Sequence, residues 1–138
     1  MEPQKISLFL TAHNQVYLQA LEEIKSGYKR THWMWYIFPQ IKGLGKSETS
    51  RYYALENLKD ASDYLMHPVL GKHLIEISEA LLSLSGRSAG QILGAPDDLK
   101  LCSCITLFAR VEGACPVFNR LLEKYFEGQP DELTLKFL

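Results

Sequence analysis

The chain has 138 residues, of which 46% are hydrophobic and 22% charged, and its formal net charge at pH 7 is −1. A chain of this size folds as a single domain, residues 1–138, and buries about 70% of its unfolded surface, which argues against disorder. No apolar run approaches the roughly 18 residues of a membrane-spanning helix, and the N-terminus is polar. We therefore expect a cytoplasmic protein that binds no membrane.

The first 40 residues contain one long helical pattern and one aromatic stretch. Apolar residues recur at helical spacing between Ile6 and Ile24, and Gly27 predicts a left-handed stop. Residues 31–40 read Thr-His-Trp-Met-Trp-Tyr-Ile-Phe-Pro-Gln and hold both tryptophans of the chain. This aromatic stretch predicts either a short helix capped by Thr31 or a strand over residues 33–38, because Trp, Tyr and Ile occur in both.

Helical spacing returns in the middle of the chain. Ser47 is a typical helix cap before a periodic run to Leu65, which Asn57 or Asp60 can split in two. Residues 70–81 form the clearest amphipathic pattern, after a proline that suits a first helical turn.

The C-terminal third carries four helix starts. Ser88 and Gln91 have the spacing of a capping box, and the pair Asp97-Asp98 follows a proline and lies at the positive end of the next helix dipole. Further helices begin after Pro116 and at a cap on Asp131. The whole pattern predicts an all-α fold, a compact multihelical single domain of six to eight short helices.

The cysteines and histidines predict neither a disulfide framework nor a metal centre. Three cysteines are an odd number without a recognised zinc spacing, so we interpret Cys102, Cys104 and Cys115 as reduced core residues. The four histidines are too scattered along the chain to hold a metal ion. They are His13, His32, His67 and His73. We therefore predict no bound metal and no other cofactor.

Charge is distributed unevenly along the chain. Residues 25–51 contain six basic side chains and one acid, a net charge of +5, which leaves −6 for the rest of the chain. This basic island overlaps the aromatic stretch. Cations beside exposed rings suit phosphates and bases, although a solvated basic surface has the same composition. The acidic balance of the remainder argues against nucleic acid as the partner.

Residues 40–47, Gln-Ile-Lys-Gly-Leu-Gly-Lys-Ser, end like the phosphate-binding loop G-x-x-x-x-G-K-[ST]. Gln40 stands where that motif requires its first glycine, and no strand ending in aspartate follows to hold magnesium. A looser site is the alternative. In it, the amides at the start of the Ser47 helix bind a phosphate together with Lys46 and Arg51.

Two residues are our candidates for acid–base catalysis, His32 and Asp98. His32 adjoins the tryptophans and a basic flank, and a neutral imidazole can exchange a proton near pH 7. The alternative is a histidine bonded to a backbone carbonyl. Of the paired carboxylates, Asp97-Asp98 suits a helix dipole and Glu22-Glu23 suits solvation, and Asp98 is the one that we would assign to catalysis.

The predicted ligand pocket has two sides, one from the aromatic and basic segment and one from the helix after the proline at position 96. Tyr53 can stack on a base or a ribose there, or bury its ring with its hydroxyl at the surface. Trp33 and Trp35 are two residues apart and cannot share one helical face, so at least one of them can face a groove. The predicted ligand-binding residues are Trp35, Gln40, Lys46, Ser47, Arg51 and Tyr53 on the first side, and Lys100, Ser103 and Thr106 on the second.

Over nearly its whole length, the chain resembles a bacterial family of small proteins, domain-of-unknown-function family 1810. The most specific match is residues 32–40 followed by 43–47, and the supporting segments are 67–71, 88–100 and 106–108. The resemblance implies a compact multihelical fold and brings no established activity. Cys102 and Cys104 depart from the usual family pattern, which weakens any role for their thiols.

A second, fainter resemblance links the C-terminal half to the NADAR (YbiA-like) proteins, which process ADP-ribose-containing or related glycosylamine compounds. With the aromatic and basic island, it implies a small phosphate-bearing ligand, a nucleotide or an ADP-ribose derivative, and N-glycosidic hydrolysis assisted by an acid such as Asp98. The alternative, from another class, is a protein-interaction module with an aromatic surface and no catalysis. The sequence leaves the oligomeric state open.

Overall fold

The protein consists of nine α-helices joined by short loops, and the computed structural model describes residues 1–138. The all-α prediction is confirmed, but the expected six to eight helices are too few, and the first helix, with 24 residues, is not short. None of the helices combines the length and the apolar character that crossing a membrane requires. The helices are α1 (Pro3–Ser26), α2 (Met34–Ile37), α3 (Glu48–Tyr52), α4 (Leu58–Met66), α5 (Leu70–Ser83), α6 (Ala89–Leu93), α7 (Asp97–Ala109), α8 (Val117–Phe126) and α9 (Glu132–Lys136).

Local sequence signals explain several helix boundaries. Gly27 ends α1 in the left-handed conformation, with φ of 84°. The side chain of Asn57 accepts a hydrogen bond from the Asp60 amide at 2.9 Å and caps α4, which produces the break expected in the 47–65 pattern. Ser88 and Gln91 form the predicted capping box at the start of α6.

The aromatic stretch forms a short helix, α2, and not a strand. The β-type pairing in the protein is limited to an isolated bridge between Ile41 and Leu55. This bridge brings the chain after α2 alongside the chain after α3, so that the segment between them folds back on itself.

Helix α7 lies at the centre of the domain and contacts α4, α6, α8 and α9. Every residue from Ser103 to Phe108 is buried, which requires neighbours on all sides of this helix. Helices α1 and α5 pack against each other, and α5 also packs on α8. The largest buried side chains are aromatic and come from across the chain: Phe9, Trp33, Phe38, Tyr64, Phe108 and Phe118.

All three cysteines are free thiols. Cys104 lies in the core, and burial raises the pKa of its thiol, which keeps the group protonated and unreactive. Cys102 and Cys115 are half-buried at the edge of the core. The prediction that all three are core residues is therefore correct only for Cys104.

Candidate functional site

The aromatic stretch is anchored by a buried carboxylate on α1, that of Glu23. Its Oε1 accepts hydrogen bonds from the amides of Arg30 at 2.7 Å and Thr31 at 3.0 Å, and from Nε1 of Trp33 at 3.0 Å. Its Oε2 accepts from Thr31 Oγ1 at 2.6 Å and from Gln19 Nε2 at 2.8 Å. The carboxylate thereby fixes the chain that enters α2 and holds the fully buried Trp33 in the core.

The assignment of Glu23 to solvation is wrong, and only its neighbour Glu22 is solvated. Burial alone raises the pKa of a carboxyl group, but the hydrogen bonds donated to Glu23 outweigh this effect and lower its pKa to about 2. One signal could have revealed this residue. Glu23 is three residues from Ala20, on the buried face of α1, where a carboxylate needs donors.

Trp35 is half-buried and lies against Lys100, in the first turns of α7. The Nζ atom of Lys100 lies 4.5 Å from the centroid of its ring, a cation–π contact. Asp97 pairs with Lys100 at 3.7 Å and with Lys29 at 2.9 Å, and Lys29 Nζ lies 5.0 Å from the ring centroid of Trp33. Two indoles, two lysines and one carboxylate thus join the aromatic stretch to α7.

A cleft with a volume of about 330 Å³ opens beside Trp35, and it is bounded by α2, the segment 40–54, α7 and α9. The structure brings five of the predicted ligand-binding residues to this cleft from three separate parts of the chain. They are Trp35, Gln40, Tyr53, Lys100 and Ser103. Lining residues that the sequence reasoning did not select are Ile41, Leu44, Gly45, Ser50, Ala54, Pro96, Leu99, Asp131 and Leu133.

Asp131 is the one residue with an ionisable carboxyl group at the cleft, and the sequence predicts it only as a helix cap. It does cap α9, because its Oδ2 accepts from the Thr134 amide at 3.1 Å. The same oxygen accepts from Ser103 Oγ at 3.1 Å, and the Asp131 amide donates to Thr106 Oγ1 at 2.9 Å. These bonds tie α9 to α7, and none of them involves Oδ1 of Asp131.

The two predicted catalytic residues and Thr106 do not line the cleft. His32 is exposed at the beginning of the aromatic stretch. Asp98 lies in the first turn of α7, where its Oδ1 accepts from the Leu99 amide at 2.9 Å. Thr106 is buried and serves to hold the Asp131 backbone.

Three predicted ligand-binding residues of the basic island, Lys46, Ser47 and Arg51, also lie outside the cleft. Lys46 is exposed before α3, and Arg51 is exposed and lines a different groove against α1. Ser47 caps α3 by accepting from the Ser50 amide at 3.1 Å. Because α3 has only five residues, it lacks the dipole of the longer helix on which the looser phosphate site depends.

A second polar cluster lies between α1 and α5. His13 Nε2 and His73 Nδ1 are 2.8 Å apart, and His13 Nδ1 is 3.2 Å from the carbonyl oxygen of Tyr36. Since a carbonyl only accepts, His13 donates through Nδ1 and accepts at Nε2 from His73. Tyr17 stacks on His73 with ring centroids 3.8 Å apart and donates its hydroxyl proton to Glu76. The protein contains no group of three or more His, Cys, Asp or Glu side chains arranged to hold a metal ion.

We expect this histidine pair to make the protein less stable below about pH 6.5. Burial lowers the pKa of both His13 and His73 below the ordinary value of 6.5. As the pH falls through this value, the unfolded chain binds more protons than the folded protein, so the free energy of unfolding decreases. Urea denaturation between about pH 8 and about pH 5 measures this dependence.

Two variants isolate the contribution of the pair. His73→Asn removes one titrating ring but keeps an amide that can donate to His13, so the pH dependence should be flatter. His32→Asn changes an exposed histidine outside the cluster and should leave the dependence as it is. Equal slopes in the parent protein and in His73→Asn would contradict the role of the pair.

Fold and cleft together define the class of this protein: a small, single-domain, all-helical protein with one aromatic and polar cleft beside its central helix. The chain belongs to the family of proteins of unknown function DUF1810, whose model matches residues 3–138. The family resemblance noted in the sequence is thereby confirmed, whereas the resemblance to the NADAR proteins stays a prediction.

A solved structure has the same fold. The chain is 43% identical to the conserved hypothetical protein Rv1873 from Mycobacterium tuberculosis, whose crystal structure is known at 1.38 Å. The similarity covers 99% of this chain and 98% of that one, with a TM-score of 0.96. Among curated proteins, none matches this chain.

Proposed function

We propose that the protein binds a small phosphate-bearing molecule of mononucleotide size in the cleft beside Trp35. The observation that carries the proposal is that two aromatic rings, an amide, an amine and a hydroxyl from three separate segments meet at one cleft. Its volume of about 330 Å³ lies at the lower end of the ~300–1,000 Å³ range of ligand pockets. This size favours a nucleotide over the larger ADP-ribose.

Each part of such a ligand has a partner in the cleft. Trp35 and Tyr53 offer ring surfaces to a base. The Lys100 ammonium, which now lies over the Trp35 ring, can pair with a phosphate. Asp131 has one oxygen bonded within the protein and a second that can accept hydrogen bonds from ribose hydroxyls.

The contacts support binding more strongly than N-glycosidic hydrolysis. His32 and Asp98 were the candidates for acid–base steps, and neither lines the cleft. Asp131 is the only carboxylate that does. A hydrolase built on this cleft would therefore have to use Asp131 in place of Asp98.

The Lys100→Ala variant should bind adenosine monophosphate about tenfold more weakly than the parent protein, or weaker still. Lys100 is the only cation that lines the cleft, and a hydrogen bond to a charged group contributes about 1.5–3 kcal/mol. Calorimetric titration measures the affinity, and thermal unfolding checks it, since a ligand at about 100 times its dissociation constant adds about 2.7 kcal/mol.

The matched control is Lys72→Ala, which removes an exposed lysine of α5 outside the cleft and should leave the affinity unchanged. Equal affinities in Lys100→Ala and Lys72→Ala would contradict the proposed phosphate contact. No binding of adenosine monophosphate by the parent protein would contradict the proposed ligand class.

One feature favours the alternative, a protein-interaction module. The cleft has an apolar rim on which Leu99 and Leu133 are exposed, and the exposed Phe137 lies against Gly43 nearby. Exposed apolar side chains grouped in this way suit a protein partner. The same titration separates the two functions, because an interaction module without a ligand site binds no nucleotide.

A further inference from the structure

A second groove of the protein, with a volume of about 1010 Å³, shares only Tyr53 with the cleft. One wall is the N-terminal half of α1. The other wall is formed by Tyr36 and by the segment from Arg51 to Asp60. The nucleotide proposed above would occupy the cleft and would leave this groove empty.

The α1 wall is polar but almost uncharged. Between Ile6 and Leu21 the chain has no Asp, Glu, Lys or Arg, although 22% of all residues are charged. In soluble globular domains about 25% of residues are charged on average. Here the exposed groove residues follow helical spacing and offer amides and hydroxyls: Gln4, Ser7, Thr11 and Gln15.

The opposite wall is a cluster of three tyrosines. Tyr36 and Tyr53 pack edge to face with ring centroids 4.7 Å apart, and Tyr52 and Tyr53 do so at 5.3 Å. This arrangement leaves ring surface of Tyr52, which is 59% exposed, open to the groove. The hydroxyls of Tyr17 and Tyr125 are bonded within the protein, whereas those of the three groove tyrosines are not.

The basic and acidic side chains of the groove are equal in number, and the amino-terminal ammonium of Met1, which also lines it, is paired with Asp60 at 3.4 Å and with Asp63. Lys5 is turned to the protein itself, because its Nζ donates to the Tyr52 carbonyl oxygen at 3.0 Å. A charged ligand gains little from walls of this kind, whereas a neutral molecule with many hydroxyl groups can bond to them. The three bases are Lys5, Arg51 and Lys59, and the three acids are Glu2, Glu56 and Asp60.

We propose that this groove is a second ligand site and that its ligand is a neutral carbohydrate. The amides and hydroxyls of α1 can donate to and accept from sugar hydroxyls. The tyrosine rings can pack against the apolar C–H face of a sugar ring, with their hydroxyls free to bond at its edge. The groove thus offers a sugar hydrogen-bonding groups on the α1 wall and aromatic ring surface on the opposite wall.

Saturation-transfer NMR on the full chain tests the proposal, with glucose, cellobiose, maltose and N-acetylglucosamine as probes. We expect transfer to the ring protons of at least one of them, and Tyr52→Ala should weaken that affinity about threefold to tenfold. The substitution should not affect folding, because Tyr52 is largely exposed. The matched control is Tyr28→Ala, at a tyrosine that is 55% exposed outside the groove, and it should keep the affinity of the parent protein.

Three results would overturn the proposal. The first is the absence of transfer to any of the four sugars, and the second is an equal affinity in Tyr52→Ala and Tyr28→Ala. The third is stronger transfer to glucose 6-phosphate, added as a fifth and anionic probe, than to glucose, because an anionic ligand would then be selected. Lys100→Ala should retain sugar binding, so failure of the nucleotide cleft and failure of this groove can be told apart.

Discussion

Replacement of Glu23 by alanine should lower the free energy of unfolding by about 3–5 kcal/mol. The substitution removes the acceptor of two backbone amides, of Thr31 Oγ1 and of the Trp33 indole. Each buried donor without a partner costs about 1–3 kcal/mol, and partial hydration of the opened segment recovers some of the sum. Urea denaturation followed by tryptophan fluorescence measures the loss.

Two further variants, one at Glu23 itself and one at its neighbour Glu22, test the size of this effect. Glu23→Gln keeps one carbonyl oxygen for the amides and the indole, so its loss should be about half that of Glu23→Ala. Glu22→Ala changes an exposed side chain next to it and should stay within about 0.5 kcal/mol of the parent protein. A loss in Glu23→Ala no larger than in Glu22→Ala would show that the buried carboxylate does not anchor the aromatic stretch.

The Gly71→Ala variant should be destabilised by about 3–4 kcal/mol, a decrease in melting temperature of about 10 °C. A Cβ atom at Gly71 would lie 1.8 Å from the carbonyl oxygen of Leu65 and 2.5 Å from its carbonyl carbon. These are backbone atoms of α4, whereas Gly71 lies in α5, so the two helices would have to separate. Differential scanning calorimetry measures the effect.

Gly90→Ala is the control for this second prediction. Gly90 lies inside α6, and the nearest atom to a Cβ there is Asp98 Oδ2 at 3.5 Å, an ordinary contact. Alanine in a helix reduces the entropy of the unfolded chain, so this variant should be unchanged or more stable by up to about 1 kcal/mol. The close approach at Gly71 would be refuted if both variants melted at the same temperature.

Most helix boundaries of this protein could be predicted because the interactions that set them are local. The capping box at Ser88, the cap at Asn57 and the left-handed Gly27 each depend on residues within four positions. The number of helices was underestimated because the sequence left two points open: whether residues 33–38 form a helix or a strand, and whether the run from Ser47 to Leu65 is split in two.

The candidate site could be predicted only in part. Residue type and neighbourhood were enough to select Trp35, Tyr53 and Lys100, which all line the cleft. They did not predict which cation meets which ring. Lys100, outside the basic island, lies over Trp35, whereas Arg51 of that island lines another groove. Closeness along the chain does not become closeness in space when short helices redirect the chain every few residues.

The amino-acid sequence by itself determined the helical class, the caps and the presence of aromatic, basic and polar groups suited to a ligand. Only the tertiary structure decided that Glu23 is an interior anchor, that His13 meets His73, and that Asp131 joins the cleft. The physical reason is one of range. Caps and periodicity arise within a single helix, whereas burial and hydrogen-bond partners depend on how helices distant in sequence pack together.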